Sequence, residues 1–463
     1  MAATLTSPSP GAPSRTAARP GSGGWRGRWP LVPLIATVLL TALPYGLGGE
    51  GGPAIGPADI ASAIAVLVCA GRLLYLRQRP LGGAAALVLG LPALGFAVAT
   101  VTAADPAAAL PGLVRYLQVF VLVPAAVYLL LKDVLGFRIV AGALVLLALV
   151  QGVVGVKQYV TGTGASYMGE EIRAVGTFGP SDIMGMATVV AYGLLAAAAC
   201  ALRTPRNAPA WLRPCAAVVA VTLTVPLALS FSRGVWIATA AALLVALSLT
   251  GRRQALVSLA VLGATGVVLV GGFGVGSEMI AERAASVTRV ASSPDRSVSD
   301  RYAMWSAAGG MWREQPLTGV GLKGFPAHRD AHASIGLSSG SDTAGAGQEY
   351  RKQALLSPHN MYLLILGEQG LIGLTAVVGS WAAILIGAVR RLRLARSRGH
   401  AALDCGLVAV ALMTWQCVNF LYSDIGGPTT VLGGVILGLA AWWALDGLEK
   451  ADVPAGPLKA GAA

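Results

Sequence analysis

Charge is scarce in this 463-residue chain: Asp, Glu, Lys and Arg make up 12% of it, about half the share of a soluble protein. That excludes a soluble globular domain, and the apolar content below excludes a disordered chain. Cysteine is also scarce. Cys69, Cys200, Cys215, Cys405 and Cys417 all lie in or beside apolar runs, and no CxxC pair occurs, so neither a zinc site nor a disulfide scaffold is supported. They read as small apolar residues packed between helices. Four histidines leave little material for a metal centre. What the chain has in quantity is apolar sequence, with 55% hydrophobic residues and a mean hydropathy of +0.68.

The net charge of +13 would suggest nucleic acid if it were clustered, but the basic residues sit between long apolar runs. A run of about 20 apolar residues crosses a bilayer as a helix. Twelve runs qualify, roughly 31–48, 60–76, 81–102, 111–131, 139–156, 183–202, 214–231, 234–250, 255–276, 371–389, 403–422 and 429–446. Leu31–Gly48 reads as a retained first span, since its leader is long and no small-x-small cleavage site follows. With the N-terminus inside, 21 basic residues fall on cytoplasmic segments and four on short outer connections. The nine in the long outer loop are exempt from the comparison. The expected fold is therefore an all-α integral membrane protein of about 12 transmembrane helices, both termini cytoplasmic. Its expected parts are a disordered tail at 1–30, spans one to nine at 31–276, and an extracytoplasmic loop domain with amphipathic helices at 277–370. Spans ten to twelve follow at 371–446, then a tail at 447–463.

Polar chemistry concentrates at the outer ends of these spans, as expected where a charge at mid-bilayer is costly. Four constellations stand out. Ser230-Phe231-Ser232-Arg233-Gly234-Val235-Trp236 places a guanidinium beside a helix start, a geometry suited to phosphate oxygens; the alternative is an arginine snorkelling to headgroups. From Ser299-Asp300-Arg301-Tyr302 to Pro316, the apolar residues Met304, Trp305, Ala308, Met311 and Trp312 recur at helical spacing. Ser299 or Asp300 is the expected cap, and Arg301 lies at the edge of the apolar stripe. That helix either points Arg301 at a site or rests on the bilayer.

His359, in Pro358-His359-Asn360-Met361-Tyr362, is an imidazole beside a membrane-entering helix. It suits proton abstraction from a hydroxyl, or simply caps the helix. Glu368 lies nine residues on and faces the opposite side of a straight helix, so it reads as structural. The stretch from Arg173 to Asp182 combines a cation, glycines and an N-cap, and is either a phosphate contact or a plain turn. Gly319-Val320-Gly321-Leu322-Lys323-Gly324 spells GxGxxG without the preceding strand that a dinucleotide site needs, and His328 with His332 lacks a third metal ligand.

These constellations, in this order, resemble the O-antigen ligase family and its lipid-linked polysaccharide polymerase relatives. The matching pieces are SFSRGVW at 230–236, DRYAMW through EQPLTGVGLKGF at 300–325, and HNMYLLILGEQGLIGL at 359–374. The resemblance implies a GT-C-type membrane glycosyltransferase of the cell (inner or plasma) membrane. It implies an undecaprenyl-diphosphate-linked glycan as donor and an acceptor glycan or glycolipid whose hydroxyl is glycosylated at the outer face. Neither a nucleotide sugar nor a metal or other cofactor is part of what it implies. Carried onto this chain, it assigns the donor diphosphate to Arg233 and Arg301, with Arg173 as a further donor contact, and acceptor activation to His359. Membrane lipids and polysaccharide assembly proteins are the implied partners, and nucleic acid is not. A Gly/Ser-rich tract around 334–347 departs from the pattern and reads as a mobile or lineage-specific insert. Ligase and polymerase both remain open, as does a lipid-linked oligosaccharide flippase or exporter. A noncatalytic partner in an assembly complex is the third reading.

Overall fold

The computed structural model describes residues 28–43, 55–77, 81–167, 173–179, 182, 184–206, 208–251, 296–334, 337, 341–345, 348–353 and 355–445. Within them lie seven helices long and apolar enough to cross a membrane: Pro57–Leu76, Gly83–Val101, Pro106–Leu130, Val134–Thr161, Gly185–Leu202, Leu212–Leu229 and Met361–Ser397. Four shorter apolar helices, Trp29–Ala42, Arg233–Ser248, Leu403–Asn419 and Thr430–Leu445, coincide with other expected spans. The expected ninth span at 255–276 and nearly all of both tails lie outside the described residues.

The chain order is α1 (Val32–Leu39), α2 (Pro57–Leu76), α3 (Gly83–Val101), α4 (Pro106–Leu117), α5 (Val123–Leu130), α6 (Val134–Thr161) and α7 (Gly185–Leu202). Then come α8 (Leu212–Thr222), α9 (Thr224–Leu229), α10 (Arg233–Ser248), α11 (Arg296–Glu314), α12 (Phe325–His332), α13 (Met361–Ser397), α14 (Leu403–Asn419) and α15 (Thr430–Leu445). A π-helical turn at Gln118–Leu122 carries α4 into α5, making one continuous span.

The helices differ in how much they bury. The α14–α15 hairpin forms the centre: Trp415, Trp442 and Trp443 are fully buried, and their indole N–H groups donate to Thr239 Oγ1, the Leu131 carbonyl and the Ala388 carbonyl. A buried indole needs such a partner, so each bond fixes a ring as well as filling space. The helix Pro57–Leu76 stands at the edge, with Leu67, Leu74 and Tyr75 exposed as expected of a face turned to hydrocarbon. Two ion pairs join helices of the bundle. Arg115 meets Asp59, and Arg138 grips Asp404 through Nε (2.7 Å) and Nη2 (2.9 Å). Such two-pronged pairing is what makes a buried carboxylate tolerable.

Three local features differ from the expectation. The amphipathic helix α11 starts at Arg296, so Asp300 is an interior, buried helical residue and neither it nor Ser299 is the cap. Its apolar stripe is as expected: Met304, Ala308 and Met311 are fully buried, and the helix packs against α13. Helix α13 begins ten residues before the expected span and breaks at Gly370, which takes φ 62° and ψ −161°. That break exposes main-chain groups, and residues 316–321 satisfy them. Val320 and Gly321 donate to the carbonyls of Gly367 and Glu368, while Leu371 and Ile372 donate to those of Pro316 and Leu317. The approach is so close that a Cβ on Gly319 or Gly370 would overlap the opposite backbone, which is what the first glycine of the GxGxxG is for.

Helices dominate, but three strands are also present. β1 (Ala165–Tyr167) pairs antiparallel with β2 (Ser341–Gly345), and β2 with β3 (Gln348–Gln353). The tract read as a mobile or lineage-specific insert thus contributes strand β2. Through the register Ala165 opposite Gly345 and the bridge from Ala165 to Arg173, the hairpin backs the segment that carries Arg173.

Candidate functional site

All four constellations meet at one end of the bundle, around the turn 420–428 that joins α14 to α15. The first reaches it through α10. Phe231 adopts a left-handed φ of 48°, Ser232 follows as N-cap, and Arg233 opens the helix. Gly234 lies so close to Tyr422 that a Cβ there would sit 3.2 Å from the Tyr422 Cβ. Arg233 therefore stands at a helix N-terminus, where unsatisfied N–H groups add positive potential to its own charge.

The second constellation arrives from α11, with Arg301 Nη1 donating to the Tyr422 carbonyl at 3.3 Å. One turn on, Trp305 Nε1 donates to the Pro358 carbonyl at 2.9 Å, which fastens α11 to the residue before His359. The third is the start of α13. Asn360 caps it by accepting from the Leu363 N–H at 3.1 Å, and the Met361 N–H donates to the carbonyls of Phe420 (2.8 Å) and Ser423 (3.0 Å). Held on both sides, His359 adopts a left-handed φ of 48°. A non-glycine residue in that region is strained, and strain of this kind persists only where the surroundings over-determine it.

The fourth constellation is laced to α6. Gln158 Oε1 accepts from the N–H groups of Val175 (3.1 Å) and Gly176 (2.8 Å), and Gln151 Oε1 accepts from Thr177 N–H at 2.9 Å. The Ala174 N–H donates to the Leu229 carbonyl, next to the Arg233 junction, and the Ser232 hydroxyl lies 3.2 Å from Met184 Sδ. Asp182 faces Gly427, where a Cβ would stand 2.6 Å from its Oδ2. Burial pushes the Asp182 carboxyl up to about 7 against two main-chain N–H groups, of Gly185 and Met184, that favour its charged form.

The electrostatics of His359 are set by three influences. Burial holds its imidazole below the usual range, the nearby Asp424 carboxylate pulls it up, and Arg301 pushes it down again. A neutral imidazole with a free lone pair is the form that accepts a proton, so the surroundings favour base chemistry near neutrality. Asp424 and Tyr422 were not among the residues singled out from the sequence. Their signal was a polar group, Ser423-Asp424, in a short connection between two almost wholly apolar helices. Asp424 Oδ2 is buried and has no hydrogen-bonding partner among the described residues.

The remaining motifs have other roles. His328 Nδ1 lies 3.0 Å from the Gly324 carbonyl, and His332 Nε2 lies 3.4 Å from Glu314, so the two are turned to different partners. Glu368 accepts from the Phe325 N–H at 3.2 Å. All five cysteines are free thiols; Cys69 and Cys405 are buried as expected, but Cys215 is exposed.

A bundle of apolar helices with a polar, arginine-bearing end marks an integral membrane protein, and that end is its candidate site. Residues 218–378, about a third of the chain, match the family model described as O-antigen ligase, so this segment is similar to that family. The matched segment contains Arg233, Arg301 and His359; Arg173 and Asp424 lie outside it. No curated protein matches the chain.

Proposed function

We propose that the protein transfers a glycan from an undecaprenyl-diphosphate-linked donor to an acceptor hydroxyl at the outer face of the cell membrane, as a ligase or polymerase. The observation that carries this reading is the meeting of Arg301 and His359 at the turn 420–428, with Arg301 bonded to the Tyr422 carbonyl and charged against His359. Arg233 enters the same turn through Gly234. In the proposed reaction His359 takes the proton of the acceptor hydroxyl as its oxygen attacks the anomeric carbon. The bond from that carbon to the diphosphate breaks, and its electron pair stays on the departing diphosphate. Negative charge grows there, and preorganised guanidinium groups from Arg233 and Arg301 stabilise it. Arg173 is the further donor contact, braced by the β1–β2 pairing.

The test is turnover by the full-length protein in liposomes loaded with a lipid-diphosphate glycan. Release of polyprenyl diphosphate with growth of a second lipid-linked chain makes it a polymerase, and transfer to a different added acceptor makes it a ligase. Movement of the intact lipid across the bilayer without bond cleavage would overturn the reading in favour of a flippase.

The pH profile tests the roles around His359. Its pKa is held low, so kcat/KM should stay level to pH values below the ordinary imidazole pKa of about 6.5, and fall only as His359 takes up a proton. Asp424→Asn removes the one influence that raises this pKa, so the acidic limb should move to lower pH still. An acidic limb that stays in place or moves upward in Asp424→Asn would remove Asp424 from the site.

A further inference from the structure

Arg301 and His359 belong to different segments of the chain, on α11 and just before α13, and their chemistry needs them in fixed register. One tie between the segments is the bond from Trp305 to Pro358, close to His359. The other lies at the far end of α11, where residues 316–325 fold back on the broken part of α13. There Glu368 supplies a side-chain contact among main-chain ones. Phe325 opens α12, so its N–H has no acceptor within that helix, and its side chain is fully buried. Glu368, 1% exposed, accepts that N–H through Oε1 from the neighbouring helix.

Two further contacts point the same way. Lys323, with a left-handed φ of 64°, lies within electrostatic reach of Glu368 and holds its ammonium 5.8 Å from the centre of the Tyr116 ring. Between the two ties, α11 runs against α13 at Gly367, where a Cβ would stand in ordinary contact, 3.4 Å from the Ala308 carbonyl oxygen. We propose that Glu368 is a positioning residue, which clasps residues 316–325 to α13 so that the Arg301 helix and His359 form one rigid body.

This inference rests on the proposed transfer for its kinetic arm, but not for its structural one. Both arms use the full-length protein in liposomes with the lipid-diphosphate glycan. Glu368→Ala should lower kcat by about 10–100-fold per folded protein through misplacement of Arg301 against His359. The KM for the glycan should change by less than about threefold, because the contacts made in the ground state remain. Glu368→Gln keeps an acceptor for the Phe325 N–H and should recover most of the turnover.

Hydrogen–deuterium exchange should quicken in Glu368→Ala at the amides of Val320, Gly321 and Phe325, with the core of α14 unchanged, and return to normal in Glu368→Gln. Unchanged exchange and full turnover in Glu368→Ala would overturn the clasp. So would a Glu368→Gln protein that is as inactive as Glu368→Ala while its amides stay protected, since that would place the carboxylate's charge in the reaction itself. If the wild-type protein transfers no glycan, the proposed function fails, and the exchange measurement alone decides the clasp.

Discussion

His359→Ala is expected to lower glycan transfer by about 10²–10⁴-fold, the range that a positioned general base contributes. The loss should fall on kcat, with KM for the lipid-linked donor little changed, because the imidazole meets the acceptor hydroxyl and not the diphosphate. The variant should fold. His359 precedes α13 and is only half-buried, while the cap of that helix comes from Asn360 and its anchorage from the Met361 N–H. Alanine also keeps a side chain at a position whose φ of 48° the neighbours impose. Steady-state kinetics on equal amounts of folded protein in liposomes makes the measurement. Retention of more than about a tenth of wild-type kcat would take His359 out of the proton transfer.

Arg301→Ala is the second large effect, with about 10²–10³-fold expected in kcat for the loss of one preorganised donor to the departing diphosphate. Arg301→Lys should recover little of it. An ammonium is a point charge on a flexible stem, whereas the guanidinium fork bonds the Tyr422 carbonyl with one nitrogen and leaves other N–H groups for phosphate oxygens. A second readout separates this role from mere loss of structure. Arg301 is one of the influences that hold the His359 pKa down, so Arg301→Ala should move the acidic limb of the profile upward, opposite in sign to Asp424→Asn. Full recovery by lysine, or an unmoved limb, would dismiss Arg301 as a diphosphate ligand beside His359.

The spans were legible because hydropathy is a local signal, and α2, α3, α6 and α7 fall where the apolar runs lie. The candidate site was legible in pieces for the same reason: Arg233, Arg301 and His359 each sit in a short, recognisable run. What brings them together was not legible. The turn 420–428 touches all four constellations, yet its polar Ser423-Asp424 pair does not say which segments it meets, and its contact with Arg301 spans 121 residues of chain. The outward turn of Glu368 was legible, but its partner was not. A straight helix from His359 sends it away from the site. Helix α13 stays helical from Met361 up to the break at Gly370, so Glu368 does face away, and there it accepts the Phe325 N–H from 43 residues earlier in the chain. The small sheet was hidden because a Gly/Ser-rich tract carries no alternation of apolar and polar residues for a strand to announce itself.

The break at Gly370 also divides α13 mechanically. At about 1.5 Å per residue, its 37 residues would reach roughly 55 Å if straight, well beyond a hydrocarbon core of about 30 Å. A continuous rod of that length would tilt whenever the bilayer thickened or thinned, and would swing its tip by several ångströms. At the break, residues 316–321 bridge both limbs, pairing with Gly367 and Glu368 before it and with Leu371 and Ile372 after it, while the Trp305 bond holds the segment before α13 to α11. The direction of the limb that follows His359 is thereby set by residues 316–321 rather than by continuing the line of the longer, spanning limb.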